Sequence, residues 1–151
     1  MEIIEKQNLN VETLLSYKTR TTYNKLAALI NHIDKSLPLI GMKRTGNIIF
    51  TISENRYGCD EPIIDVEIMI PVNRPFKSNE YYVYKPKIVL HNAVMGQCVE
   101  VSEALSKAKK ELQEYLCKKD YSSLTNYYFI IEGDCDVKPV DIYVSINENV
   151  V

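Results

Sequence analysis

With 151 residues, of which 46% are hydrophobic and 25% charged, the chain has the composition of a globular domain rather than a disordered segment. The net charge of −2, without a Lys/Arg stripe among aromatic residues, disfavours direct nucleic-acid binding. No apolar run approaches the roughly 20 residues of a membrane span, and the N-terminus lacks a signal-peptide core. We therefore expect a cytoplasmic protein with no membrane partner.

The four cysteines show no CxxC spacing, and the two histidines lie far apart in the sequence. This pattern does not predict a zinc site, and reduced, mostly buried thiols explain the cysteines. We predict no metal, no cofactor and no catalytic residue.

The first half of the chain, about residues 11–72, predicts a strand, a helix and two strands. A strand over 11–19 precedes an amphipathic helix over about 20–36, in which apolar residues recur every three or four positions before Pro38. Strands over 47–53 and 62–72 follow. Residues 1–10 fit either a tail or a short extra strand.

The second half, about residues 81–147, repeats this order. It begins with a strand over 81–94, broken or bulged around Pro86, and continues with a helix over about 99–118. After a loop over 119–125, strands are predicted over 126–132 and 139–146.

The last strand of each half has the same alternation. In 62–72 one face is apolar, and the other carries Asp65, Glu67, Met69 and Pro71. In 139–146 the equivalent positions are Asp141, Tyr143 and Ser145. We predict a single α+β domain over 1–151, a pseudo-twofold tandem βαββ repeat whose antiparallel sheet has two long helices packed on one face.

Two segments resemble the GyrI-like, or multidrug-regulator effector-binding, family, a SOUL-like fold of two βαββ halves. Residues 65–72 (DVEIMIPV) are similar to its D-V-E-V-x-I-P-V strand. Residues 91–98 (HNAVMGQC), with the apolar pattern that follows, are similar to its H-x-G-x-Y turn and L-x-x-A-x-x-x-L-x-x-Y helix. The resemblance spans about residues 11–147.

The resemblance implies a ligand cavity between the halves, lined by aromatic rings and often centred on an acidic residue of the penultimate strand. That acidic residue is replaced here by Tyr127 or Tyr128. Family members bind drugs, lipophilic cations or other small molecules; some act on gyrase, and a few are hydrolases. We find no N-terminal helix-turn-helix segment, so we expect a stand-alone divergent member.

The second, non-helical face supplies the candidate ligand-binding residues. A buried carboxylate there needs a cationic or hydrogen-bonding partner, and the chain's 11 tyrosines offer rings with polar tips. Without a ligand, Glu67 would be solvated or paired with Lys87. The predicted ligand-binding residues are Glu67, Met69, Tyr57, Tyr82, His91, Tyr128 and Tyr143.

Three functions follow from these observations. The first is a stand-alone protein that binds a small amphipathic or apolar molecule. The second is a protein-interaction module that modulates a partner, as gyrase-inhibiting relatives do. The third is a small hydrolase that uses His91 or Glu67. Exposed sheet edges can also pair between two copies, so a homodimer stays open.

Overall fold

The computed structural model describes residues 1–55, 63–98, 105–132 and 141–148. Within these ranges the chain forms seven strands, two α-helices and one short 3-10 helix (Leu37–Ile40). The strands and α-helices are β1 (Glu2–Thr22), α1 (Tyr23–Ser36), β2 (Ile48–Asn55), β3 (Ile63–Pro71), β4 (Val83–Gln97), α2 (Leu105–Lys118), β5 (Tyr121–Ser123), β6 (Tyr128–Ile131) and β7 (Asp141–Glu148).

The predicted strands and helices are confirmed in type, with two differences. Residues 2–10 are neither a tail nor a separate strand, because they form the first part of β1. The loop predicted over 119–125 is wrong, since β5 lies within it and pairs with β7. The predicted helical residues 99–104 lie outside the described part of the chain.

The described strands form one antiparallel sheet, as predicted. Its order is β4-β1-β3-β2-β6-β7-β5, and β4 also pairs with β7. The pairings β4–β1–β3–β2–β6–β7–β4 therefore close into a circuit, which leaves β5 attached to β7. Because β5 has no described counterpart in the first half, the pseudo-twofold repeat stays a prediction.

Strand β1 connects the two halves by changing partner along its length. Its residues from Glu2 to Ser16 pair with β4, and those from Leu14 to Thr22 pair with β3. Thr13, with a φ of 59°, lies at this change, and its carbonyl accepts a hydrogen bond of 2.9 Å from the Val72 N–H. A β-branched residue is strained in this left-handed region.

Strand β4 continues through Pro86, so the predicted break there is wrong. The pairs Glu12–Lys87 and Leu14–Lys85 keep one register on both sides of the proline. This stretch pairs only with β1 in the described residues, and a proline is tolerated at such an edge. The register instead shifts near Asn92, whose φ is 49°.

The two faces of the sheet carry separate apolar clusters. The helix-side cluster joins both helices to the predicted apolar face of β3. It includes Leu26, Ile30 and Ile33 of α1, Ala108, Leu112 and Leu116 of α2, and Ile64, Val66, Ile68 and Ile70 of β3. The second-face cluster consists of Leu9, Leu14, Ile49, Met69, Ile88, Leu90, Ala93 and Ile130.

The two halves share this core, as the lack of a flexible linker predicts. Phe50 of β2 and Phe129 of β6 stack with ring centroids 5.3 Å apart and their planes at 15°. At the start of β1, the Glu5 carboxylate accepts hydrogen bonds from the hydroxyls of Tyr115 (2.5 Å) and Tyr121 (2.6 Å). The ring stack joins the two halves, and the hydrogen bonds of Glu5 join the N-terminal part of β1 to α2 and β5. Among the described residues, no helix is both long enough and apolar enough to span a membrane.

Replacing Thr13 by glycine tests the left-handed backbone conformation of this residue in β1. Glycine adopts the left-handed region without steric cost, so Thr13→Gly should leave the free energy of unfolding unchanged or raise it by up to about 1 kcal/mol. Thr19, in the same strand but without a positive φ, is the control, and Thr19→Gly should lower stability by about 0.5–1 kcal/mol. Urea denaturation measures both. Equal destabilisation by the two substitutions would contradict a left-handed conformation at Thr13.

Candidate functional site

Two neighbouring clefts lie beside β3 and share Lys18 and Glu67 as lining residues. The β2 cleft, of about 540 Å³, is also lined by Arg20, Thr51, Ser53, Asp65 and Asn126. The β4 cleft, of about 340 Å³, is also lined by Ser16, Glu80, Tyr81, Val83, Tyr84, Lys85 and Pro86. Both volumes fall in the range of small-molecule sites.

Strand alternation and register explain why polar groups gather here. In the ladder between β1 and β3, Ser16 lies opposite Met69, Lys18 opposite Glu67, and Arg20 opposite Asp65. Directly opposed residues of an antiparallel pair project to the same face. The C-terminal part of β1 therefore sets two cations opposite the two carboxylates of β3.

The Glu67 carboxylate is held by two donors. Its Oε2 accepts a 2.6 Å hydrogen bond from Ser16 Oγ and a 3.1 Å charged contact from Lys85 Nζ. The side chains of Glu67 and Lys85 are 19% and 33% exposed, so water screens this pair less than a surface pair. Lys85 Nζ also lies 3.7 Å from Met69 Sδ.

These contacts decide the ionisation of Glu67. Burial opposes the charged form and by itself raises the pKa of Glu67, but the hydrogen bonds from Ser16 and Lys85 and the charges of Lys85 and Lys18 outweigh it. The net pKa is lowered from the ordinary 4.5. Glu67 is therefore a carboxylate at neutral pH, and Lys85 balances its charge.

The second carboxylate of β3 is also paired. Arg20 Nε donates to Asp65 Oδ1 at 2.8 Å, and both side chains are about half exposed, at 62% and 45%. Such an exposed pair contributes little to stability. It does balance the charge of Asp65 in the wall of the β2 cleft.

Three of the predicted site residues besides Glu67 lie at the second-face cluster, but none of them lines either cleft. Met69 lies on the same strand face but is fully buried in the second-face cluster. Tyr128 and Tyr143 are opposite each other in β6 and β7, and both pack against that cluster. Burial raises the pKa of Tyr128, and the charge of Glu67 adds to the effect, so the ring lies within electrostatic reach of the carboxylate.

Two other predicted residues have their contacts away from Glu67. Tyr82 packs against the helix-side cluster, with its ring centroid 5.9 Å from that of Tyr17. His91 is exposed, and its carbonyl accepts a 2.9 Å hydrogen bond from Ser145 Oγ. Neither residue lines the two clefts. Tyr57 lies outside the described residues.

The middle of the second face is packed with side chains. Leu14, Ile49, Met69 and Ile130 from four strands are each 7% exposed or less. The clefts therefore lie to one side of this cluster, around β1 and β3. Residues of both predicted halves line the β4 cleft, with Glu67 from the first half and Tyr81, Val83 and Lys85 from the second. A cavity centred between the halves, which the resemblance implied, stays a prediction. Asn126 is the lining residue of the β2 cleft that comes from the second half.

The ligand-binding residues predicted from the sequence did not include the basic and hydroxyl residues of the site. The alternation of Ser16, Lys18 and Arg20 along β1 was a usable signal, since it matches that of Asp65 and Glu67. Lys85 carried no such signal. Sequence reasoning named Lys87 as the alternative partner of Glu67, and this is corrected to Lys85.

Comparison with solved structures identifies the fold. The crystal structure of the EcmrR C-terminal domain matches with a TM-score of 0.60 and 19% identity, over 99% of this chain and 100% of that one. The fold is GyrI-like. EcmrR in its cryo-EM complex with DNA matches with a TM-score of 0.66 and 16% identity, over 97% of this chain and 58% of that one.

The GyrI-like fold, rather than an activity, is what these similarities establish. A crystal structure of a hydrolase from Listeria innocua aligns with a TM-score of only 0.48 and 8% identity, over 97% of this chain and 91% of that one. This similarity is too low to support any inference about activity. No protein-family model matches the chain, and no curated protein does.

Removing the ammonium of Lys85 tests the electrostatics of Glu67. Burial of the Glu67 carboxyl raises its pKa, and the contacts with Lys85 lower it. Lys85→Met removes those contacts, so the pKa of Glu67 should rise. In the native protein the lowered pKa stabilises the fold above about pH 4.5, and this stabilisation is lost as the pH falls through the lower folded-state pKa. The variant should lose less stability over that acidic range.

Carbon-detected NMR titration of the Glu67 carboxyl measures this pKa, and urea denaturation at several pH values measures stability. Lys87→Met is the matched control, because Lys87 is an exposed lysine of the same strand that lines neither cleft. An unchanged pKa for Glu67 in Lys85→Met would show that the ion pair does not set it.

Proposed function

We propose that the chain is a non-catalytic binding protein for small amphipathic molecules, and that its site consists of the β2 and β4 clefts on either side of Glu67. The observation that carries this proposal is a half-buried, ionised carboxylate lining two adjoining clefts of ligand size. The GyrI-like fold supports it, because the resemblance noted from the sequence implies small-molecule binding.

The β4 cleft has the two kinds of surface that an amphipathic ligand needs. Its charged side contains Glu67 and Lys85, 3.1 Å apart. Its apolar side contains Tyr81 and Val83, which are 65% and 52% exposed. A ligand that covers these two side chains removes apolar surface from water while its polar group reaches the charged side.

The contacts of Glu67 favour binding over catalysis. Ser16 donates a hydrogen bond to this carboxylate, but the residue is only 2% exposed, which keeps its oxygen from a substrate. A nucleophile needs access to the substrate and a base that takes its proton as it attacks. The hydrolase alternative also needs His91 or Glu67 as a base, and His91 lies outside both clefts while Lys85 holds Glu67.

A compound panel followed by thermal unfolding tests the proposed function. A ligand at a hundredfold excess over its dissociation constant should stabilise the protein by about 2.7 kcal/mol. Compounds that shift the unfolding temperature are then titrated calorimetrically against variants that fill each cleft. Ser53→Trp fills the β2 cleft, and Val83→Trp narrows the β4 cleft.

At least one of these two substitutions should weaken binding about tenfold or more, or about 1.4 kcal/mol. Ser123→Trp is the control, because Ser123 is an exposed serine of β5 outside both clefts. A ligand whose affinity neither cleft variant changes binds elsewhere and contradicts this site. Stabilisation by no compound, together with stable capture of one protein partner, would favour the interaction-module alternative.

A further inference from the structure

We propose that Lys85 is a specificity-determining residue, whose ammonium group occupies the cation position on Glu67 and makes the clefts select amphipathic anions over amphipathic cations. This inference rests on the proposed function, because it assigns the charge of the ligand that the same site takes.

The position that a ligand ammonium would occupy on Glu67 is already filled. Lys85 Nζ and Ser16 Oγ both approach Oε2 of the carboxylate, at 3.1 and 2.6 Å. A cationic ligand must displace an ammonium that is tethered to the same chain and is therefore present at high effective concentration. It must also leave Lys85 without its partner, at a position that is only 33% exposed.

The next charge in the site is positive. Lys18 lies opposite Glu67 in the ladder between β1 and β3 and lines both clefts. Lys85 balances the charge of Glu67, and Arg20 balances the charge of Asp65. For Lys18, on the shared wall, the described residues provide no hydrogen bond or ion pair at contact distance. Its charge is available to a ligand.

The negative charge of Glu80, a lining residue of the β4 cleft, opposes the positive charge of Lys18. Glu80 is exposed and precedes β4, and Lys18 is exposed too, so water screens both charges. Lys18 lines both clefts, whereas Glu80 lines one. An anionic head group therefore gains most beside Lys18 in the β4 cleft, where the Lys85 ammonium is a second donor.

The apolar part of the ligand then lies on Tyr81 and Val83. A molecule with a carboxylate head and an unbranched apolar tail satisfies both sets of groups. The ligand class that this geometry favours is therefore an amphipathic monoanion, with a neutral analogue binding more weakly and a cationic analogue most weakly.

Three probes that share a ten-carbon chain and differ in head-group charge test this order: decanoate, 1-decanol and decylammonium. Calorimetric titrations, below the concentration at which each probe aggregates, give its affinity for the wild-type protein. Decanoate should bind at least tenfold more tightly than decylammonium. Tighter binding of decylammonium than of decanoate would overturn the inference.

Variants then assign the selectivity to Lys85. Lys85→Met should shift the ratio of decanoate to decylammonium affinity at least tenfold toward the cation, because it vacates the position on Glu67. Lys85→Arg keeps the charge and should keep the wild-type preference. Lys87→Met removes an exposed lysine two residues away and should leave the ratio unchanged.

A second route does not require Lys85→Met to fold. Glu67→Gln frees the Lys85 ammonium from its partner, so it should raise the affinity for decanoate and lower it further for decylammonium. Lys18→Met should weaken decanoate binding and spare 1-decanol. Circular dichroism confirms the fold of each variant before titration.

The outcomes separate the inference from the function on which it rests. If 1-decanol binds in a way that Ser53→Trp or Val83→Trp weakens, but the Lys85 and Glu67 variants leave the charge preference unchanged, the selectivity inference falls and the binding site stands. If none of the three probes binds the wild-type protein or any variant, the amphipath-binding function and the inference fall together.

Discussion

The arrangement of this protein depends on the alternation of side chains along β3. Ile64, Val66, Ile68 and Ile70 are buried in the helix-side cluster. The residues between them must therefore project to the other face, because successive side chains of a strand point in opposite directions. A shift of one residue would bury Asp65 and Glu67 beneath the helices without their partners, which is why the register is strongly specified.

The closed circuit of strand pairings decides where a ligand has room. β4 pairs with both β1 and β7, and this brings apolar residues of both halves together on the second face. Those residues fill its middle. The two clefts remain to one side, where β1 leaves β4, pairs with β3 and presents polar rather than apolar side chains. Thr13, with its left-handed backbone conformation, lies at this change of partner.

Electrostatic pairing then gives the clefts their chemical character. Glu67 is too buried to rely on water alone, and its pKa is lowered because Ser16, Lys85 and Lys18 stabilise the charged form. The cost of burying a charge thus requires a partner in the folded chain. When that partner comes from the protein itself, the carboxylate no longer offers a bare anion to a ligand. This is the physical basis of the proposed preference for anions.

The strand and helix types, the apolar face of β3, the GyrI-like resemblance and the need of Glu67 for a partner could all be predicted from the sequence. These are local or periodic properties, which neighbouring residues specify together. The folded arrangement was needed to show that Lys85 rather than Lys87 is this partner, that Tyr82 packs on the helix side and that β1 extends from Glu2 to Thr22. Each of these depends on strand register and on a change of strand partner. Such contacts join residues far apart in the chain, which sequence periodicity does not encode.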